Sequence, residues 1–318
     1  VVFDKTGTLT EGRPAVKDIR PVGGLDADAL LALAAAAQTG SDHPVATAIL
    51  DAARDRGLIL ASAEDARALP GRGLAARVGG RDLLLGTRRL MAERGIDTAE
   101  YEATAAALED AGLSPVWVAQ AGGPVLGLMG VGDRARDGAA AAVAHLKALG
   151  LRPAMITGDT ERAARAVAAP LGIDTVLAEV LPEDKAAQVE HLRDGGGVVA
   201  MVGDGVNDAP ALAAADVGLA MGSGTDVAME AAGITLMRPD LSLVADAISV
   251  SRATQRKIRQ NLFWAFIYNL VALPLAAAGL LTPMIAGAAM AMSSVSVVTN
   301  ALTLRRWRPN RDNKGGRS

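Results

Sequence analysis

Three observations predict an α/β fold. A short apolar strand ends on an acid at Asp4, strands and helices alternate across residues 125–250, and two uncharged runs lie near the C-terminus. The expected architecture is a parallel-sheet domain with an inserted α+β block, followed by a transmembrane helix hairpin. Val1, Val2 and Phe3 are β-branched or aromatic, as a buried strand requires. Asp4-Lys5-Thr6-Gly7-Thr8-Leu9-Thr10 follows directly. An acid at the carboxyl end of a parallel strand sits where open α/β sheets place their chemistry. A carboxylate there can attack phosphorus and form an aspartyl-phosphate.

Residues 13–124 have a different texture. A helix-like stretch at 27–37 precedes Thr39-Gly40-Ser41-Asp42-His43-Pro44, and strand-like runs at 74–78 and 82–85 are punctuated by glycines. The first strand has no crossover helix of its own, so this block reads as an insertion. The alternation then runs through 126–131, 139–149, 154–156, 162–169, 198–202 and 208–215. Residues 261–280 carry no charge and are long enough to cross a bilayer core. Leu281-Thr282-Pro283 forms a turn before a second uncharged run at 284–304. Arg252, Arg256, Lys257 and Arg259 precede the pair, and Arg305, Arg306, Arg308 and Arg311 follow it. Positive charge on both outer sides places both ends in the cytoplasm, and residues 305–318 read as a basic tail.

At 318 residues the chain has room for two or three domains. Half of it is hydrophobic, with much of the excess after Asn261, and the mean hydropathy is +0.25. A net charge of −3 leaves no nucleic-acid footprint in the total. The absence of Cys excludes disulfides and thiolate metal sites within this stretch. Position 1 already lies inside a strand, so the chain is expected to be the C-terminal part of a longer protein.

Three further strings carry chemistry. Thr157-Gly158-Asp159 follows an apolar strand and opens a helix, where a hydroxyl and helix-terminal amides suit a phosphoryl oxygen. Lys185, in Pro182-Glu183-Asp184-Lys185, supplies a cation against phosphoryl charge. Gly203-Asp204-Gly205-Val206-Asn207-Asp208 follows a strand and gathers carboxylate and amide oxygens suited to Mg²⁺. Read alone, each string also fits a capped helix or an Asx-rich loop.

Together, in this order and over essentially the whole chain, these strings resemble those of the P-type ATPases, pumps built on a haloacid-dehalogenase-like domain. The resemblance implies a phosphorylation domain at 1–12 and 125–250, a nucleotide-binding domain at 13–124, two transmembrane helices within 261–304, and a multi-pass protein of the cell membrane with both soluble domains in the cytoplasm. It implies Asp4 as the phosphorylated residue, with Lys185, Thr157 and Asp208 also catalytic. Mg²⁺ would be held by Asp4, the Thr6 carbonyl and Asp204. Asp159 and Asn207 would complete the nucleotide side. Ser41-Asp42-His43-Pro44 resembles the S-E-H-P element of the heavy-metal pumps, and Pro70-Gly71-Arg72-Gly73 their glycine element; His43, Gly71 and Gly73 would then hold ATP. Three positions depart from the family pattern: Gln38, Ala76 and Thr87.

The uncharged pair narrows the ion. Asn261, Tyr268 and Asn269, with Met290, Ser293 and Ser294, resemble the N-x₆-Y-N and M-x-x-S-S patterns of Cu(I)-transporting pumps. Tyr268, Asn269, Met290 and Ser294 are the implied ligands, and a thioether suits soft Cu(I). The other implied partners are ATP, membrane lipid, the rest of the pump and a copper chaperone. Alternative readings are a pump for zinc, cadmium, Cu(II) or silver, a soluble phosphatase of the same superfamily, or an inert copper-binding subunit. The phosphatase reading is weakened by Thr6, where such enzymes usually carry a second Asp.

Overall fold

The structure is a computed structural model that describes residues 1–41 and 43–308. Asp42 of the Ser41–Pro44 element and residues 309–318 of the expected tail, Arg311 among them, lie outside the described residues. The chain divides into two units, Val1–Leu241 and Ser242–Ser318.

In the first unit the strands are β1 (Val2–Asp4), β2 (Ala15–Pro21), β3 (Ala63–Leu69), β4 (Gly73–Val78), β5 (Arg81–Gly86), β6 (Ser114–Gln120), β7 (Val125–Gly132), β8 (Ala154–Ile156), β9 (Thr175–Leu177), β10 (Ala200–Gly203), β11 (Val217–Met221) and β12 (Ile234–Leu236). Its helices are α1 (Ala27–Ala37), α2 (Pro44–Asp55), α3 (Arg88–Glu93), α4 (Glu102–Asp110), α5 (Ala139–Ala148), α6 (Glu161–Leu171), α7 (Lys185–Asp194), α8 (Ala209–Ala214) and α9 (Asp226–Ala231).

The α/β expectation is met by a parallel sheet of order β12-β11-β10-β1-β8-β9. Its central strands β1, β8, β10 and β11 are short and mostly buried, which is why they read as continuous apolar runs. Phe3 is fully buried. Register places Asp4 opposite Ile156 and Phe3 opposite Val202. Thr157 and Asp204 therefore emerge from the two strands flanking Asp4, at the same sheet edge. Helix starts are capped where side-chain oxygens allow it, as at Thr160, whose Oγ1 accepts from the Ala163 amide.

The second sheet is antiparallel, order β2-β7-β6-β5-β4-β3. Alternation along β6 divides its two cores. Val116 and Val118 pack with Leu30, Ile49 and Leu83 beneath α1 and α2. Trp117 and Ala119 pack with Leu90, Met91 and Leu108 beneath α3 and α4. One expectation is corrected here. The strand read at 126–131 was assigned to the alternating block, with a boundary at 124/125. The strand Val125–Gly132 instead pairs antiparallel with β2 and β6. A buried apolar strand reads alike in either sheet, so its sequence could not choose the partner. A second difference is smaller: the run at 198–202 is a strand only from Ala200, and Val198 is exposed.

The second unit holds α10 (Ser242–Ala277) and α11 (Pro283–Leu302). Both are long and apolar enough to cross a membrane. The uncharged run expected from Asn261 is the second half of one continuous 36-residue helix that also carries the basic flank. Gly279, at φ +72, lies in the connection, and Thr282 caps α11 by accepting from the Ile285 amide at 3.3 Å.

Candidate active site

Asp4 is buried at the end of β1. The chain turns sharply after it, through Gly7 at φ +76. A Cβ on Gly7 would lie 1.9 Å from Asp204 Oδ2, so only glycine lets this turn and the Asp204 carboxylate share the space. Lys185 opens α7 and donates from Nζ to Asp4 Oδ1 at 2.6 Å and to Asp208 Oδ1 at 2.8 Å. The other Asp208 oxygen accepts from the amides of Asp204 and Gly205, at 3.3 and 3.1 Å. Carboxylate oxygens of Asp4, Asp204 and Asp208 lie within 4.8 Å of one another.

Three acids and one buried cation make this cluster electrostatically frustrated. Burial, then the neighbouring Asp208, pushes Asp4 up to about 7 despite Lys185. Burial and Asp208 push Asp204 up to about 6. Burial would lower Lys185, but its two carboxylate partners outweigh that and hold it above the ordinary lysine value. The directions agree: one lysine gains two anions, while Asp4 shares its single cation with Asp208. A further positive charge fits here, because Asp204 has no side-chain cation partner among the described residues and its hard oxygen faces that of Asp4.

Asp159 forms a second layer. Lys5 pairs with it, Ser114 Oγ donates to its Oδ1 at 2.7 Å, and Thr157 Oγ1 donates to its Oδ2 at 3.3 Å. Burial raises the Asp159 pKa, but Lys5 and these hydrogen bonds outweigh it, and the carboxyl lies below its ordinary value. The Thr157 hydroxyl is thus hydrogen-bonded to Asp159 rather than to Asp4 or Lys185. Asn207 lies in the same loop as Asp204 and Asp208, and its side chain is exposed.

Sequence reasoning missed two residues here. Asp133 accepts from Thr10 Oγ1 at 2.6 Å and from the amides of Gly12 and Arg13. Arg136 donates from Nε to the Thr8 carbonyl at 3.0 Å and from Nη2 to the Gly7 carbonyl at 2.5 Å. Both brace the loop after Asp4. Their signal was the charged run Asp133-Arg134-Ala135-Arg136-Asp137 directly after an apolar strand.

The expected nucleotide residues lie in the antiparallel block. His43 caps α2, its Nδ1 accepting from the Val45 amide at 3.2 Å. That bond requires an unprotonated Nδ1 and leaves Nε2 as the free ring donor. Gly71 sits in a turn at φ +68, with Leu181 as the nearest neighbour of a notional Cβ, at 3.7 Å. Gly73 has a different cause: a Cβ there would lie 2.0 Å from the Leu85 carbonyl, where β4 pairs with Gly86 of β5. In the helix pair, Tyr268 Oη and Ser296 Oγ are 3.1 Å apart, whereas Asn269 bonds its own helix at the Ala265 carbonyl. Met290 and Ser294 are exposed. Among the described residues, no hydrogen bond links the four expected Cu(I) ligands to one another: Tyr268 meets Ser296, and Asn269 meets Ala265.

The sequence pattern of the haloacid dehalogenase-like hydrolases matches residues 1–216. The probable copper-exporting P-type ATPase V of Mycobacterium tuberculosis is 52% identical over 308 residues, covering 96% of this chain and 40% of that protein. The copper-exporting P-type ATPase of Bacillus subtilis is 49% identical over 306 residues, covering 96% and 38%. The chain thus spans about 40% of the length of these curated relatives. Among solved structures, a zinc-transporting PIB-type ATPase in the E2.Pi state matches with a TM-score of 0.68 and 40% identity, over 95% of this chain and 49% of that one. The catalytic domain of the CPx-ATPase CopB-B matches with a TM-score of 0.60 and 30% identity, over 78% and 87%.

Proposed function

The chain belongs to the haloacid dehalogenase-like hydrolases and, within them, to the heavy-metal P-type ATPases; from that premise we propose that it is the catalytic and C-terminal membrane part of an ATP-driven pump that exports Cu(I). The parallel sheet is the phosphorylation domain, the antiparallel insertion the nucleotide-binding domain, and both lie in the cytoplasm. The observation that carries this reading is Asp4 at the end of β1, bonded to Lys185 beside Asp204 and Asp208.

In the proposed reaction an Asp4 carboxylate oxygen attacks the γ-phosphorus of ATP. An acyl–phosphate bond forms, the bond to the bridging oxygen breaks, and ADP leaves. Asp4 must be ionised to attack, and Lys185 favours that state. Lys185 also offsets charge developing on the phosphoryl oxygens. The Lys5–Asp159 pair and Arg136 hold the loop so that the attacking oxygen does not wander. Asp4, the Thr6 carbonyl and Asp204 are the residues that would hold Mg²⁺, whose chemistry there is to offset the carboxylate and phosphoryl charge. His43 Nε2 and the Gly71 turn would contact the nucleotide. Gly73 would serve the same nucleotide site by permitting the close pairing of β4 with β5 at Gly86.

Cu(I) is proposed as cargo because Tyr268, Asn269, Met290 and Ser294 lie on helix segments without a carboxylate or thiolate. A soft monovalent ion needs a thioether and few hard oxygens, whereas Zn²⁺ in apolar surroundings calls for anionic ligands. Asn269, Met290 and Ser294 are exposed, so the ion site would be closed by further elements, for which the additional length of the relatives leaves room. Delivery by a copper chaperone is part of the same proposal.

Labelled ATP should give an acid-stable, hydroxylamine-sensitive phosphoenzyme that disappears in Asp4→Asn; equal labelling of that variant would sink the mechanism. In the complete pump Cu(I) should stimulate turnover and Zn²⁺ should not. The opposite result would overturn the ion and leave the phosphorylation chemistry standing.

A further inference from the structure

Between Asp246 and Asp312 the sequence holds eight Lys or Arg residues and no acid. Four of these cations lie on α10 just before the uncharged segment. A cavity of about 580 Å³ opens among them, lined by Arg256, Lys257, Arg259, Phe263, Trp264 and Asn300. One wall is built by hydrogen bonds between the two helices. Lys257 Nζ donates to Asn300 Oδ1 at 3.0 Å, and Asn300 Nδ2 donates to Asn261 Oδ1 at 2.8 Å. Asn300 carries no charge, so this bond does not pair Lys257 with an anion. Arg256 and Arg259 have no carboxylate partner among the described residues. Phe263 and Trp264 meet edge to face, with ring centroids 5.6 Å apart, and both are exposed.

Position decides what such a cavity can hold. Arg256 lies five residues before Asn261 on one continuous helix, about 8 Å along its axis at 1.5 Å per residue. With the uncharged run in the hydrocarbon, the basic residues fall at headgroup depth and Trp264 at the boundary, where aromatic rings concentrate. Cations without acids, a polar wall and an aromatic floor suit a phosphate diester joined to acyl chains.

We propose that this cavity binds the headgroup of an anionic phospholipid of the cytoplasmic leaflet, through Arg256, Lys257 and Arg259, with Trp264 against the start of the acyl chains. The proposal rests on the membrane reading of the hairpin. Free phosphate shares the charge chemistry but would leave Phe263 and Trp264 without a partner.

The test uses this chain with Trp307→Phe, reconstituted into vesicles containing either brominated phosphatidylglycerol or brominated phosphatidylcholine at matched mole fraction. Trp117 is buried within the antiparallel sheet, out of reach of lipid, so changes in quenching report Trp264. Phosphatidylglycerol should quench more strongly. Arg256→Gln or Arg259→Gln should each lower that preference by about fivefold, the effect of one basic residue near an anionic surface. Quenching by phosphatidylcholine should persist in both variants, which verifies that they still insert. Equal quenching by the two lipids would overturn the site while leaving the membrane reading intact. No quenching by either would overturn both. Loss of the preference in millimolar inorganic phosphate would reassign the cavity to free phosphate and overturn the lipid.

Discussion

The carboxyl edge of the parallel sheet and the helix pair carry the two halves of the proposed chemistry, and they are built differently. At the sheet edge Asp4, Lys185 and Asp208 find one another across 181 and 23 residues of sequence, and all three are buried. In the helix pair Asn269, Met290 and Ser294 are exposed. Parallel strands bring their carboxyl ends to one line whatever the loops between them, so a few adjacent loops can close a site. A site between helices closes only when enough helices surround it. The comparison predicts large, coupled effects from changes at the sheet edge and isolated effects in the hairpin.

The largest effect should come from Lys185→Met. Phosphoenzyme formation should fall by about 10²- to 10³-fold, as when one electrostatic donor is lost. Stability should fall by about 3–5 kcal/mol, because two buried carboxylates lose their shared cation. Rapid-quench labelling and chemical denaturation measure the two. A stable but inactive variant would mean that Lys185 serves chemistry alone and that the sheet edge is less coupled than its geometry implies.

Next is Gly73→Ala. The added Cβ would meet the Leu85 carbonyl at 2.0 Å, so the β4–β5 pairing at Gly86 must shift, at about 2 kcal/mol or more. Gly71→Ala meets no such wall and should cost about 1 kcal/mol for its left-handed backbone. Thermal unfolding of both variants, with ATP titration, separates the roles. Weaker ATP binding by Gly73→Ala at unchanged stability would make Gly73 a ligand contact instead.

Asp159→Asn should cost about 1–3 kcal/mol near neutral pH through its bonds to Lys5, Ser114 and Thr157. The sign with pH follows from its lowered pKa. The carboxylate stabilises the fold above the unfolded-state value of about 4, and that contribution fades as pH falls through the lower folded-state value. The stability gap between wild type and variant should therefore close on acidification. A gap that stays constant with pH would show that packing, not charge, ties β6 to this loop.

The smallest effect on stability belongs to Met290→Ala, within about 0.5 kcal/mol, since its side chain is exposed. Cu(I) stoichiometry in the complete pump should nevertheless drop. A large destabilisation of the isolated chain would contradict the contrast between sheet edge and hairpin.

Much of the sheet edge was legible in the sequence, because apolar strands ending in Asp4, Thr157 or Asp204 are local patterns whose loops must emerge together. The helix pair was legible for a similar reason, since uninterrupted apolar runs of that length have few other uses. Asp133 and Arg136 were legible only as members of a charged run, not by their partners. They act on the carbonyls and amides of a loop more than a hundred residues away, and no local pattern records that. The packing demand on Gly73 was hidden for the same reason, because it arises from the pairing of Gly73 with Gly86 on the neighbouring strand.

By itself, then, the sequence determined the order of strands and loops, the acid at the end of the first strand, and the uncharged helices, since each depends on residues adjacent in the chain. Only the tertiary structure decided that β7 joins the antiparallel sheet, that the Thr157 hydroxyl bonds Asp159, and that Asn300 bonds Asn261 and Lys257 across the helix pair. Those outcomes depend on which distant groups arrive within hydrogen-bonding distance. Burial then sets their strength, because a hydrogen bond or charge removed from water must find its partner within the protein.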